Sequence, residues 1–114
     1  MKNPFHSRIE SLVSVDGVVT IDVSSPTDYY QLSPTEEITE WEFLNMPEVG
    51  YVRDIVVDLV NVGDGAVWPV ANPADETAGG TAWEQSATIG EVETLTFRIF
   101  GEGTIRLYPS GVMV

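Results

Sequence analysis

Hydrophobic and polar residues alternate with a period of two along much of this chain, most densely between residues 51 and 70 (YVRDIVVDLVNVGDGAVWPV). Alternate side chains of a strand point to opposite faces, so the apolar residues on both faces of 55–62 predict a strand buried on both sides. The Gly-Asp-Gly sequence at 63–65 tolerates positive φ and predicts a turn. We expect residues 66–68 to form a second strand, antiparallel to the first, which ends or lies at an edge at Pro69.

Other alternating segments predict further strands. These segments are 9–15, 17–23, 29–32, 38–44, 92–100 and 104–108. The sequences at 16–17 (Asp-Gly) and 101–103 (Gly-Glu-Gly) are typical of tight hairpin turns. Seven to nine strands at a spacing of about 8–12 residues, without a helical period, predict an all-β fold: a single-domain antiparallel β-sandwich of jelly-roll-like type.

The predicted domain covers residues 9–114 and follows a polar, flexible N-terminal arm at 1–8. Residues 71–80 (ANPADETAGG) should form a surface loop. The short apolar tail at 109–114 is expected to add an edge strand. Residues 33–37 resemble a helix start, but no apolar helical stripe follows, so we expect at most one helical turn there.

Charge restricts the possible partners. The 114-residue chain has a net charge of −13 and no cysteine, and its positive residues are Lys2, Arg8, Arg53, Arg98 and Arg106. The acids are spread along the chain, which predicts an acidic surface and disfavours binding to nucleic acid or to anionic membranes. Such a surface keeps copies of the chain soluble, or it matches a basic partner. No segment reaches the roughly 18 apolar residues of a membrane span, and the N-terminus predicts no secretory signal.

No catalytic constellation can be assembled from the sequence, so we expect neither enzymatic activity nor a bound cofactor. His6 is the only histidine and lies in the predicted arm, which disfavours both a Ser-His-Asp triad and a histidine-based metal site. The glycines do not form a phosphate-binding loop, because none of them lies in the required G-x-x-x-x-G-K-[ST] spacing.

The carboxylates offer two weaker alternatives. Glu40 and Glu42 lie on one face of a predicted strand, where a solvated outer face is a commoner explanation than a glycosidase pair. Asp64, Asp75 and Glu76 lie in predicted turns and loops, where oxygen ligands for Ca²⁺ often cluster. The spacing of a dedicated calcium loop is missing, so we predict no metal site.

The aromatic residues are candidates for a contact surface. Trp41 fits the core by alternation, whereas Trp68 and Trp83 flank the long loop and are better placed to meet a partner. A sugar-stacking platform formed by these tryptophans is the alternative to protein contact. The terminal segments fit no obvious sandwich strand, so we expect contacts there as well. The predicted partner-binding residues are Phe5, Trp68, Pro69, Trp83 and Tyr108.

Several segments follow one another in a distinctive order: VDGVVTIDVSS, YYQLSPTEEITEWEFLNMPEVGYVRDIVVDLVN, VWPV, a loop containing TAW, and GEVETLTFRIFGEGTIRLYPSG. This order resembles the small all-β modules of virion structural proteins in tailed bacteriophages, including tail-fibre, head-fibre and capsid-decoration components. In those modules a strand running into an N-x-P-x-x-G turn precedes a long apolar strand, and a Trp/Pro segment, a loop and a final hairpin follow. The resemblance covers about residues 16–111.

The resemblance implies a non-enzymatic virion protein, assembled in the host cytoplasm and binding the major capsid or tail protein. A capsid decoration role is favoured over a receptor-binding tail-fibre tip, because the sequence has no stalk or coiled coil. A homo-oligomer, trimeric by analogy, is also implied. The remaining alternatives are a carbohydrate-binding β-sandwich that uses Trp68 and Trp83, and a small hydrolase that would depend on His6.

Overall fold

The computed structural model of the chain describes residues 9–61 and 67–113, with side chains described up to residue 109. The predicted arm at 1–8, which contains Phe5 and His6, lies outside these ranges. Within them the chain forms eight strands and no helix, which confirms the all-β prediction. The strands are β1 (Ile9–Leu12), β2 (Val18–Asp22), β3 (Tyr29–Leu32), β4 (Glu40–Leu44), β5 (Val52–Val60), β6 (Glu76–Thr77), β7 (Val92–Phe100) and β8 (Ile105–Met113). In this part of the chain no helix is long and apolar enough to cross a membrane.

The strands form two sheets. Six of them make a large sheet in the order β1-β3-β5-β7-β8-β6, and β2 and β4 make a small one. From β1 to β5 the chain alternates between the sheets, so strands that become neighbours in one sheet are separated by a strand of the other.

The strands do not all run antiparallel, contrary to the prediction. Only the pairs β5–β7 and β7–β8 are antiparallel in the described residues, and the other strand pairs, β1–β3, β3–β5, β2–β4 and β6–β8, are parallel. For β1–β3, β3–β5 and β2–β4 the physical reason is the alternation between sheets. A chain that crosses to the other sheet and back before pairing enters its first sheet again in the original direction, whereas a tight hairpin reverses it.

The hydrophobic core lies between the two sheets. The buried side chains of the large sheet come from alternate positions of its strands, including Ile55, Val57 and Leu59 of β5. Phe97 of β7 is fully buried, and its ring centroid lies 5.8 Å from that of Trp41 and 6.0 Å from that of Phe43. The small sheet therefore covers one face of the large one, and Trp41 faces the core as its alternation predicted.

Two of the predicted turns, at 16–17 and 101–103, form within the described residues, but the first of them does not join two strands of one sheet. Asp16 and Gly17 both have positive φ, and backbone hydrogen bonds of 2.9 and 3.0 Å join Val15 and Val18 across them. The strands on either side nevertheless enter different sheets. Residues 101–103 connect β7 to β8 as an antiparallel hairpin, which confirms that prediction.

The segment after β5 differs from the prediction. Residues 67–69 are not a strand, and the antiparallel partner of β5 is β7 instead. Val70 makes an isolated parallel bridge to Ile38. The predicted Gly-Asp-Gly turn at 63–65 lies outside the described residues. A strand at 66–68 would pair at most three residues with β5, whereas β7 pairs with nine residues of β5.

Two further expectations change. Residues 33–37 form no helix, which agrees with the expectation of at most one helical turn there. The loop at 71–80 contains the short strand β6. The tail adds no separate edge strand, because β8 continues as far as Met113 and lies between β7 and β6.

Candidate functional site

Three large apolar side chains are exposed where the chain passes from β4 into β5. Val49 is 81% exposed, Tyr51 66% and Val52 52%. Together with Phe100 of β7 they line a surface depression of about 420 Å³, called the apolar depression below. Its other lining residues are Gly50, Gly101 and Glu102. The depression therefore combines the β4–β5 loop with the β7–β8 turn.

Backbone hydrogen bonds hold these two segments together. The Tyr51 N–H donates to the Glu48 carbonyl and the Gly101 N–H donates to the Tyr51 carbonyl, both at 2.9 Å. A Cβ atom on Gly101 would lie 2.0 Å from the Glu48 carbonyl oxygen, so only glycine permits this approach. Gly50 takes a φ of 92°, which glycine adopts at low cost. The shape of the depression is thus set by backbone contacts, and a ligand would find it already formed.

The rim of the apolar depression is acidic. Glu102 lines it, and Glu48 is exposed beside it. The nearby Arg106 is already engaged: its guanidinium lies 4.7 Å from the ring centroid of Phe100, and its Nε lies 3.6 Å from a carboxylate oxygen of Glu76. An apolar floor with a rim of carboxylates favours an apolar segment that carries basic residues nearby.

A buried polar cluster lies near the opposite end of the large sheet. The Glu93 side chain is buried, and its carboxylate accepts hydrogen bonds from the Asn61 side-chain amide at 2.8 Å and the Ser86 backbone N–H at 3.0 Å. The Trp83 indole N–H donates to the other carboxylate oxygen at 3.2 Å. Gln85 completes the cluster by donating to the Asn61 side-chain oxygen at 2.8 Å.

The cluster attaches the segment 67–91 to the core. Gln85 accepts a hydrogen bond from the Val70 N–H and donates one to the Trp68 carbonyl, each at 2.9 Å. Among the described residues no buried side-chain polar atom lacks a hydrogen-bond partner. Both carboxylate oxygens of Glu93 are occupied by neutral donors, so we assign this carboxylate an architectural role.

We expect Glu93→Gln to destabilise the protein by about 1–3 kcal/mol, since the new amide group would point a donor at one of the existing donors. The segment 83–91 should loosen, and the Ser86 amide should exchange its hydrogen faster. Hydrogen exchange measured by mass spectrometry checks this. Glu84→Gln, at an exposed position in the same segment, is the matched control and should leave the exchange unchanged. Equal exchange in both variants would contradict the role given to Glu93.

The partner-binding residues predicted from sequence occupy separate places. Trp68 and Pro69 are exposed, whereas Trp83 is half-buried, packs against the core and uses its indole N–H on Glu93. The guanidinium carbon of Arg98 lies over the ring of Tyr108, 5.2 Å from the centroid of that ring. None of these four residues lines the apolar depression. Phe5 lies outside the described residues.

The carboxylate alternatives find no support in the geometry of the described residues. Glu40 and Glu42 are exposed on β4. Asp75 accepts a hydrogen bond from the Ile105 N–H at 2.8 Å, and Glu76 faces Arg106; the third predicted calcium ligand, Asp64, is not among the residues described. In the described ranges no group of three His, Cys, Asp or Glu side chains is placed to hold a metal ion.

The sequence reasoning missed the apolar depression. Val49 lies between two predicted strands, Tyr51 begins the alternating stretch 51–70, and Phe100 ends the predicted strand 92–100, with no function expected at any of them. A usable signal was present: two apolar residues flank Gly50 in a turn, where neighbouring residues in the sequence cannot bury them. The contribution of Phe100 depends on a contact between distant segments, which no local pattern shows.

Comparisons with known proteins give no relative. No protein-family model matches this chain, and no curated protein or solved structure is significantly similar to it.

Proposed function

We propose that this protein is a non-enzymatic structural protein of a tailed-bacteriophage virion, a capsid decoration or accessory protein that docks on the assembled head. The observation that carries the docking part is the apolar depression, where three exposed apolar side chains meet on a chain of net charge −13. Contiguous exposed apolar surface with a polar rim is typical of protein-interaction sites. The virion part is supported by the sequence resemblance, and a two-layered β domain is compatible with a sandwich module of that kind.

The proposed partner is the major capsid protein, met during assembly in the host cytoplasm. Tyr51 is the best candidate for an anchor, because exposed tyrosines that enter a partner's pocket contribute strongly to binding. The acidic residues Glu48 and Glu102 would then face basic residues of the capsid. The acidic remainder of the surface would keep unbound copies soluble until they reach the particle.

Co-sedimentation of purified protein with virions of the phage that encodes it tests the proposal. Wild type should sediment with the particles and should be found in purified virions by mass spectrometry. The double variant Val49→Ser/Tyr51→Ser is expected to bind about 30-fold more weakly or worse, because an anchor residue of this kind contributes about 2 kcal/mol or more. Its melting temperature should stay close to that of wild type, since both side chains are exposed.

The matched control is Val13→Ser/Val15→Ser, which removes two side chains that are 78% and 70% exposed elsewhere on the molecule. This control should bind particles like wild type. Equal losses in the two double variants would remove the depression as the docking site. Absence of the protein from purified virions would overturn the virion proposal itself.

Co-sedimentation also distinguishes the capsid role from the tail-fibre alternative. Sedimentation with isolated tails and not with heads would favour the tail-fibre role that the resemblance also allows. The carbohydrate-binding alternative required Trp68 and Trp83 together. Trp83 is half-buried and donates its indole N–H to Glu93, so only Trp68 of this pair is exposed. We therefore do not carry the carbohydrate role as a second candidate.

A further inference from the structure

One face of the large sheet packs against the small sheet, and the other face is covered by no described element. Alternation places Val56 and Val60 of β5, Thr94 and Thr96 of β7, and Arg98 with Tyr108 on this second face, called the outer face below. All six are half-buried by their neighbours on the sheet. The outer face therefore presents β-branched and aromatic side chains beside charged ones.

Charges on the outer face are nearly balanced. Its described positions include three acids, Asp54, Asp58 and Glu76, and two arginines, Arg98 and Arg106. These five residues sum to a net charge of −1, so nearly all of the chain's charge of −13 lies elsewhere. The remaining arginine of the described part, Arg53, donates to the carbonyl oxygens of residues 23, 25 and 27.

The charged groups on the outer face are already paired within the chain. Arg98 donates from Nε and Nη2 to the two carboxylate oxygens of Asp54, at 2.9 and 3.1 Å, and this contact raises the pKa of the guanidinium. Asp58 accepts hydrogen bonds from the hydroxyls of Tyr29 and Thr94, at 2.5 and 2.7 Å. Covering these groups therefore leaves Arg98 paired with a carboxylate and Asp58 with both of its hydrogen bonds, which lowers the cost of burying this polar surface.

The dimensions of the outer face fit an interface. The nine-residue strands β5, β7 and β8 extend about 30 Å, whereas β1, β3 and β6 have four residues or fewer, and six strands span about 24 Å across. The resulting area of several hundred Å² is somewhat below the roughly 800 Å² that each partner contributes to a typical stable complex.

We propose that the outer face is a self-association surface, and that its occupant is a second copy of this chain. The argument for a second copy is electrostatic. Two molecules of net charge −13 repel each other in most orientations, and contact through their nearly neutral outer faces keeps the acidic surfaces apart. A basic partner would instead gain most from the acidic parts of the surface, and it would have no electrostatic reason to select this face.

Native mass measured over a range of protein concentrations tests the inference. Wild type should show masses above the 12.5 kDa of one chain, and its association should strengthen with added salt, which screens the repulsion between copies. Thr96→Glu places a charge at the centre of the outer face and should yield single chains. Thr96→Lys should do the same although it reduces the negative charge, because burial of an unpaired charge opposes contact whatever its sign.

Thr20→Glu on β2 is the matched control, since Thr20 is exposed and lies in the small sheet. It should associate like wild type, and so should Val49→Ser/Tyr51→Ser, because these two residues precede β5, whereas Val52 and Phe100 of the apolar depression lie on the outer face. Circular dichroism should show that both Thr96 variants are folded. A wild-type protein that remains a single chain at all concentrations would overturn the inference, as would folded Thr96 variants that associate normally.

Discussion

Replacing Gly101 with alanine should destabilise the protein by about 3 kcal/mol and lower its Tm by roughly 10 °C. The new Cβ would lie 2.0 Å from the carbonyl oxygen and 2.4 Å from the carbonyl carbon of Glu48. Both atoms belong to the backbone, so no side-chain rotation can relieve the contact. The β4–β5 loop must move away from the β7–β8 turn, which would also break the hydrogen bond from Gly101 to Tyr51. Thermal unfolding followed by circular dichroism checks the loss.

A substitution at a second glycine, Gly79, separates the steric contact at Gly101 from the cost of placing alanine at a positive φ. Gly79 has a φ of 92° and no atom within 4 Å of the position of its missing Cβ. Gly79→Ala should therefore cost only the backbone strain of about 1–2 kcal/mol. The variants should also differ in particle binding at temperatures where both are folded, because only Gly101 shapes the apolar depression. Equal unfolding midpoints and equal binding would show that the close approach at Glu48 is unimportant.

Phe97→Ala is expected to cost about 3–5 kcal/mol, a large part of the 5–15 kcal/mol by which small domains are stable. Phe97 is fully buried and lies edge-on to the ring of Phe43 and tilted against that of Trp41. Its removal would empty the centre of the contact between the sheets. Urea unfolding should show a much lower midpoint with an unchanged slope.

Phe100→Ala is the comparison, because Phe100 lies three residues further along β7 on the opposite face. It should cost about 1 kcal/mol, chiefly through the lost contact with Arg106. It should weaken particle binding, whereas Phe97→Ala should retain binding at temperatures where it stays folded. If Phe100→Ala proved as destabilising as Phe97→Ala, Phe100 would belong to the core and not to the docking surface.

Local patterns predicted the strands well where neighbouring residues decide the structure. The alternation in β5, with Ile55, Val57 and Leu59 buried, depends only on the two-residue period of a strand. The turn at Asp16 and Gly17 was predictable because few residues accept positive φ. The hairpin of β7 and β8 combines both signals over a short distance.

Strand pairing was predicted poorly, because direction and register depend on residues far apart in the sequence. Nothing in the short β3 segment indicates that Tyr29 pairs with Val56 in a parallel register. The apolar depression was missed for the same reason, because it also depends on contact between distant segments. The apolar depression exists because Gly101 reaches Glu48, and the residues around Glu48 do not indicate which distant segment will cover them.

The alternation of strands between the sheets also sets the order in which the chain can fold. The β7–β8 hairpin can form early, because its strands are joined by a tight turn and need only local contacts. Strands β1 and β3 connect to the rest of the large sheet only through β5, and the longest pairing of β5 is with β7. Folding dominated by such distant pairings is slow, in the range of milliseconds to seconds. During synthesis β1, β3 and β5 therefore leave the ribosome before β7 exists, and the large sheet can be completed only once β7 and β8 have emerged.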